Sequence, residues 1–199
     1  EEPDYEPPQE DNLVARAERE RTTPEALAYD ILLKNEGRGM IFFPLLNYSE
    51  NSLEPAKEMM LSDHSILGLS DGGAHCGVIC DVSMPSFLLT YWARDREQER
   101  GDKLPLEWLV HKQTQNTAEL FGLNDRGLLK PGYKADVNLI DFERLKIHAP
   151  KMVYDLPSDA RRLVQGVDGY RMTICAGKVI YDNGEATGEL PGKLIRGPQ

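Results

Sequence analysis

Ser70-Asp71-Gly72-Gly73-Ala74-His75, together with the preceding run Ile66-Leu67-Gly68-Leu69, decides how this chain is read. A short apolar run bounded by a turn signal fits a buried parallel strand. An aspartate, two glycines and a histidine at the carboxyl end of such a strand stand where α/β barrels keep their chemistry. Gly72 and Gly73 let the backbone turn sharply and approach a ligand. The Asp71 carboxylate suits a hard metal ion or an incoming proton. The alternative reading of these six residues is a plain strand-to-loop turn, with Asp71 bonded to nearby backbone amides.

Upstream of this stretch the sequence alternates between strand and helix signals. Thr22 or Thr23 can cap a helix that starts at Pro24, with Glu25 at its positive end and Gly37 as its stop. Met40-Ile41-Phe42-Phe43 reads as a short buried strand that ends at Pro44. Residues 52–60 read as a helix with Pro55 early in it. Strand, helix and strand in succession predict parallel pairing through helical crossovers. The first 22 residues, opening Glu1-Glu2-Pro3-Asp4-Tyr5-Glu6-Pro7-Pro8, are too polar and proline-rich to bury a core and read as an extended or mobile segment.

Downstream, residues 85–92 and 105–120 read as helices. Arg94-Asp95-Arg96-Glu97 between them reads as a solvated charged surface, though Arg94 is close enough in sequence to Asp71 to be considered with it. After Gly127 the period changes. Val137-Asn138-Leu139-Ile140 alternates as a strand, and further strands are expected at residues 161–164, 172–175 and 179–181. Ala176-Gly177 and Asn183-Gly184 mark hairpin turns.

Bulk composition narrows the function classes. A formal net charge of -10 over 199 residues opposes nucleic acid and anionic membrane surfaces. No apolar run approaches the roughly 20 residues that span a bilayer. Three cysteines without a regular framework fit a reducing cytoplasm. Cys76 and Cys80, with His75, offer only three zinc ligands at poor spacing and read as small loop residues; Cys175 reads as core.

The motif stretch, read as Gly68-Leu69-Ser70-Asp71-Gly72-Gly73-Ala74-His75, resembles the eighth-strand motif of N-acyl-D-amino-acid deacylases (D-aminoacylases) of the amidohydrolase superfamily. Thr114-Gln115-Asn116-Thr117-Ala118-Glu119-Leu120-Phe121-Gly122-Leu123 resembles the helix after the barrel. Residues 126–136, ending Pro131-Gly132-Tyr133-Lys134-Ala135-Asp136, resemble the return into a β-sandwich. Ala176-Gly177-Lys178-Val179-Ile180 resembles the closing hairpin. The resemblance implies an α/β fold: the C-terminal strands and helices of a metal-dependent (β/α)8 barrel over residues 23–126, and part of a small β-sandwich over 127–199. It further implies a zinc hydrolase of N-acyl amino acids in which Asp71 touches the metal and acts as general base. Ser70, Gly72, Gly73 and His75 then contact the substrate.

Two departures qualify that implication. The family needs a His-x-His pair and further histidines. The four here, His64, His75, His111 and His148, are never spaced by one residue. A barrel of about 250 residues does not close from two strands. The chain is therefore expected to be the C-terminal part of a larger enzyme, inactive alone, with apolar edges that seek the missing half or a second copy. Deacylases of this branch can also hold the substrate carboxylate with an arginine after the eighth strand, and residues 76–86 contain no arginine or lysine. The competing readings are a hydrolase of cyclic amides, of hydantoinase or dihydropyrimidinase type, and a non-catalytic assembly module.

Overall fold

The computed structural model describes residues 3–48, 50–68, 70 and 72–197. It divides into two compact units, Pro3–Ser65 and a second that begins at Ile66.

The first unit is helical. Asn12 caps α1 (Leu13–Glu20) by accepting the Ala15 N–H at 2.9 Å, and Arg21 ends it in the left-handed region. Thr23 caps α2 (Pro24–Gly37) through the Ala26 N–H, with Pro24 in the first turn, as the sequence predicts. Its last turn is unwound, because Asn35 and Glu36 adopt positive φ before Gly37. Ala17 and Leu27 are the buried apolar residues of the pair. The third helix, α3 (Glu54–Leu61), carries Pro55 early, also as predicted.

Two expectations fail in this unit. The opening 22 residues are not simply extended, since they contain α1, nucleated by a cap that outweighs their polar composition. Their proline-rich start is also tied down. Glu6 is buried and accepts the Leu53 N–H at 2.7 Å, where its negative charge meets the positive end of α3. Tyr48 donates to the Pro7 carbonyl at 2.5 Å, and the Tyr5 ring meets Phe42 edge-on. The second failure is Met40-Ile41-Phe42-Phe43. It is not a strand but irregular chain, with Phe43 75% exposed. Four apolar residues make a strand only where another strand supplies hydrogen bonds.

The second unit joins helices to antiparallel strands. Residues 66–68 form no strand, and Leu69 and Asp71 lie outside the described residues. Extended structure comes later, as β1 (Gly72–His75). The predicted parallel strand is thus not seen at 66–68, and the strands after residue 136 pair antiparallel. A buried parallel strand needs partners on both sides, and local apolarity does not supply them.

Helix α4 (Met84–Phe87) continues as a π-helix over Leu88–Asp95, burying Ser86, Leu88, Thr90 and Trp92. Leu104 donates its N–H to the Trp92 carbonyl at 2.8 Å. The helix expected over 105–120 is two, α5 (Leu106–Gln113) and α6 (Gln115–Leu120), broken where Thr114 leaves helical geometry. Leu109 is wholly buried between them and the π-helix, and Ala118 nearly so.

The expected change of period after Gly127 is present. Strands β2 (Val137–Ile140), β7 (Tyr170–Cys175), β8 (Lys178–Asp182) and β9 (Glu185–Ala186) form one sheet in the order β2-β7-β8-β9. Two hairpins stand apart, β3 (Lys146–Ile147) with β6 (Val167–Asp168), and β4 (Lys151–Leu156) with β5 (Ala160–Val164). Ala176 and Gly177 both have positive φ, as do Asn183 and Gly184, the backbone of two-residue turns whose twist matches the flanking strands.

The helical and stranded parts of this unit are pinned by Arg94. Its guanidinium donates to the Phe142 carbonyl and, at 2.7 Å, to the Leu145 carbonyl, and pairs with Asp95. Leu145 is wholly buried. A Cβ at Gly169 would stand 2.7 Å from the Leu145 Cα, so only glycine fits there.

Truncating Glu6→Ala should destabilise the first unit by about 1–3 kcal/mol, because the half-buried Leu53 N–H loses its charged acceptor. Chemical denaturation of the chain and its variant measures this. Acid should loosen the strands. Arg171, at 2.8 Å, chiefly holds the Asp141 carboxyl below its ordinary value; Arg162 does the same for Asp155, and Arg126 for Asp125. Carboxyls lowered by folding contribute fully above their unfolded value of about 3.9 and lose that contribution as pH falls through the lower folded values. Melting temperature should therefore drop below about pH 4, and Asp141→Asn should make that drop shallower.

Candidate functional site

Ser70 is half-buried and outside any regular element. The expectation that Asp71 faces a concave site falls outside the described residues. Gly72, Gly73 and His75 are exposed on β1. Gly73 has φ of 133°, a conformation that side chains resist, and His75 follows in the left-handed region with φ of 47°. These two unusual backbones turn the chain into a tight loop. The His75 carbonyl accepts the N–H groups of Val78 at 2.8 Å and Ile79 at 3.0 Å. A Cβ at Gly72 would stand 3.2 Å from the Val82 side chain, so the far end of the loop folds back against the motif.

The stranded region braces this loop. Leu163 of β5 donates its N–H to the Cys76 carbonyl at 2.7 Å. Gly77 lies against the Arg161 side chain. Cys80 Sγ is 3.9 Å from Gln165 Oε1, and the Gln165 amide donates to the His148 carbonyl at 2.8 Å. Burial pushes the Cys80 thiol up, and the charge of Asp81 adds to the rise, which disfavours its thiolate.

The other candidates are occupied. Arg94, considered beside Asp71, is committed to two carbonyls and Asp95. It is part of the scaffold rather than a solvated surface. Arg96 is fully buried under the Trp92 ring, 4.6 Å from its centroid, and donates to the Arg100 and Asp102 carbonyls. His148 pairs with Asp168 at 2.8 Å, and His111 lies on α5. Among the described residues no group of three or more His, Cys, Asp or Glu side chains could hold a metal ion. The described donors therefore do not fit the zinc cage that the family resemblance implies. A recess of about 150 Å³ is lined by Tyr170, Met172, Thr173, Tyr181 and Gly184. Among the described residues no helix is long and apolar enough to cross a membrane.

Arg161 and Gln165 were not legible as neighbours of the motif. They lie 86 or more positions beyond His75, in a segment whose alternation signals only a strand.

Comparison with known proteins agrees with the resemblance carried by the motifs. An N-acyl-D-aspartate deacylase from Alcaligenes xylosoxydans xylosoxydans is 36% identical over 93 residues, which are 46% of this chain and 17% of that protein. The chain thus spans less than a fifth of the length of the curated relative it matches. No solved structure matches. A sequence model of the amidohydrolase family matches residues 26–181, well over half of the chain. On that match, the chain belongs to the amidohydrolase family.

Proposed function

We propose that this chain is the C-terminal part of an enzyme that hydrolyses the amide bond of N-acyl amino acids, D-amino acids among them. The observation that carries the reading is the identity with a protein named N-acyl-D-aspartate deacylase, within a chain of amidohydrolase type. In this reading Asp71 is the general base. It takes a proton from the water that attacks the amide carbonyl, then gives it to the nitrogen as the C–N bond breaks, so that a carboxylate and an amine leave. The geometry of the neighbouring residues supports the role. Gly72 and Gly73 put bare backbone beside Asp71, where a substrate can come close, and His75 stands exposed at the head of the braced loop. Ser70, Gly72, Gly73 and His75 are the proposed substrate contacts.

The proposal extends to the setting. Residues 23–126 belong to the end of a (β/α)8 barrel and residues 127–199 to the attached β-sandwich, which the other part of the enzyme completes. Zinc is the metal of this reading, and Asp71 is the one ligand this chain gives it. Three free cysteines support a reducing cytoplasmic setting.

In the intact protein that carries this chain, Asp71→Asn should keep its circular dichroism spectrum and lose turnover by about 100-fold or more, because an amide accepts no proton. The assay is a panel of N-acyl amino acids of both hands. Near-normal turnover in the variant would remove Asp71 from the chemistry. Absence of turnover in the parent on every member would remove the deacylase reading.

A further inference from the structure

We infer that Asn183 is a covalent modification site: it closes onto the backbone nitrogen of Gly184, loses ammonia and becomes an aspartyl or isoaspartyl residue that frees β9 from the sheet. Of the asparagines in this chain, only Asn183 is followed by glycine. A side chain on the next residue shields that residue's nitrogen, and glycine has none. The surroundings agree. Asn183, Gly184 and both residues of β9 are exposed. Among the described residues, a Cβ added at Gly184 would meet no non-adjacent atom within 4 Å, so nothing covers the turn on that side.

The closed turn restrains the reaction, and its looseness lets the reaction proceed. Asn183 holds a φ of 46°, and its N–H donates to the Arg171 carbonyl at 2.7 Å. Its side-chain amide donates to Asp182 Oδ1, also at 2.7 Å. Ring closure requires these bonds to open. β9 is an edge strand of two residues, so the turn that carries it opens readily. In the open turn the Gly184 nitrogen gives up its proton and adds to Asn183 Cγ. A five-membered ring closes as the Cγ–Nδ2 bond breaks, and ammonia leaves with the proton. Water then opens the ring. Cleavage at the side-chain carbonyl gives aspartate. Cleavage at the backbone carbonyl gives isoaspartate, in which the chain runs through Cβ and Cγ. One water is consumed for each ammonia released, and loss of the ammonia makes the change one-way.

Neither product restores the original turn. In the aspartyl form a carboxylate replaces the amide donor and faces the Asp182 carboxylate, so attraction becomes repulsion. The isoaspartyl form adds a carbon to the backbone of a two-residue turn. The pairs Asp182 with Glu185 and Tyr181 with Ala186 then lose their register. The Thr187 N–H, which donates to the Ile180 carbonyl at 3.0 Å, is released with them.

The test holds the intact protein that carries this chain at neutral and at mildly alkaline pH, and follows it by peptide mapping. Trypsin yields a peptide of residues 179–193 that carries a single asparagine. Its mass should rise, as the amide becomes an acid, about tenfold or more faster than in peptides that carry the exposed Asn51 or Asn138, because glycine leaves the attacking nitrogen bare. The rate should climb with pH, since the nitrogen attacks only after losing its proton. Methyl transfer from S-adenosylmethionine by an isoaspartate methyltransferase counts the isoaspartyl share of that peptide. This signal should vanish in Asn183→Gln, whose longer side chain disfavours the ring. Hydrogen exchange at the Thr187 amide should quicken in the aged protein. A mass gain in residues 179–193 no faster than at Asn51 and Asn138 overturns the modification site. A full gain that leaves the Thr187 amide as protected as before overturns the release of β9.

Discussion

The second unit depends on one buried knot around Leu145. Arg94 comes to it from the π-helix and spends its donors on the Phe142 and Leu145 carbonyls. Gly169 comes to it from the strand side and presses its backbone against that of Leu145, where no side chain fits. The Gly169 carbonyl also accepts the Asp141 N–H at 2.8 Å. Backbone carbonyls at the end of a short helical turn need donors once water is excluded, and a guanidinium supplies several at once. One arginine therefore links the helical and stranded parts.

A second constraint acts on the motif loop. Gly73 and His75 adopt backbone conformations that resist side chains, and such positions persist only when surrounding structure holds them. The hold comes from two directions: the turn bonds that return to the His75 carbonyl, and the β5 N–H that reaches Cys76. Residues remote in sequence thus set the shape of a loop that carries the proposed chemistry. This coupling also brings Arg161 beside Gly77 while pairing Arg162 elsewhere.

Charge and apolar surface complete the picture. Acidic residues are repeatedly answered by arginines close by, as at Asp125–Arg126, Asp141–Arg171 and Asp155–Arg162. The pairs are half-buried to exposed, so each adds only modestly to stability at neutral pH. Apolar side chains remain exposed along Met40, Ile41, Phe42, Phe43, Leu45 and Leu46. Such a run is unusual on a self-sufficient globule. It agrees with a chain that matches less than a fifth of its curated relative.

What the sequence determined by itself was local. Thr23-Pro24 started a helix, Pro55 marked the first turn of another, and Ala176-Gly177 and Asn183-Gly184 made hairpins, because caps, prolines and positive-φ glycines act through their own backbone. The Asp71-Gly72-Gly73-Ala74-His75 stretch likewise carried the family before any contact was known. Tertiary structure decided what depends on a partner far along the chain. Met40-Ile41-Phe42-Phe43 had the composition of a strand and no neighbour to make it one. Residues 13–20 followed a polar, proline-rich start and formed a helix that buries Ala17 as it packs on the helix Pro24–Gly37. Thr114 broke a periodic helix in two. Which partner each arginine met followed from packing alone, because a guanidinium looks the same in sequence whether it meets a carbonyl, a ring, a carboxylate or a bare glycine.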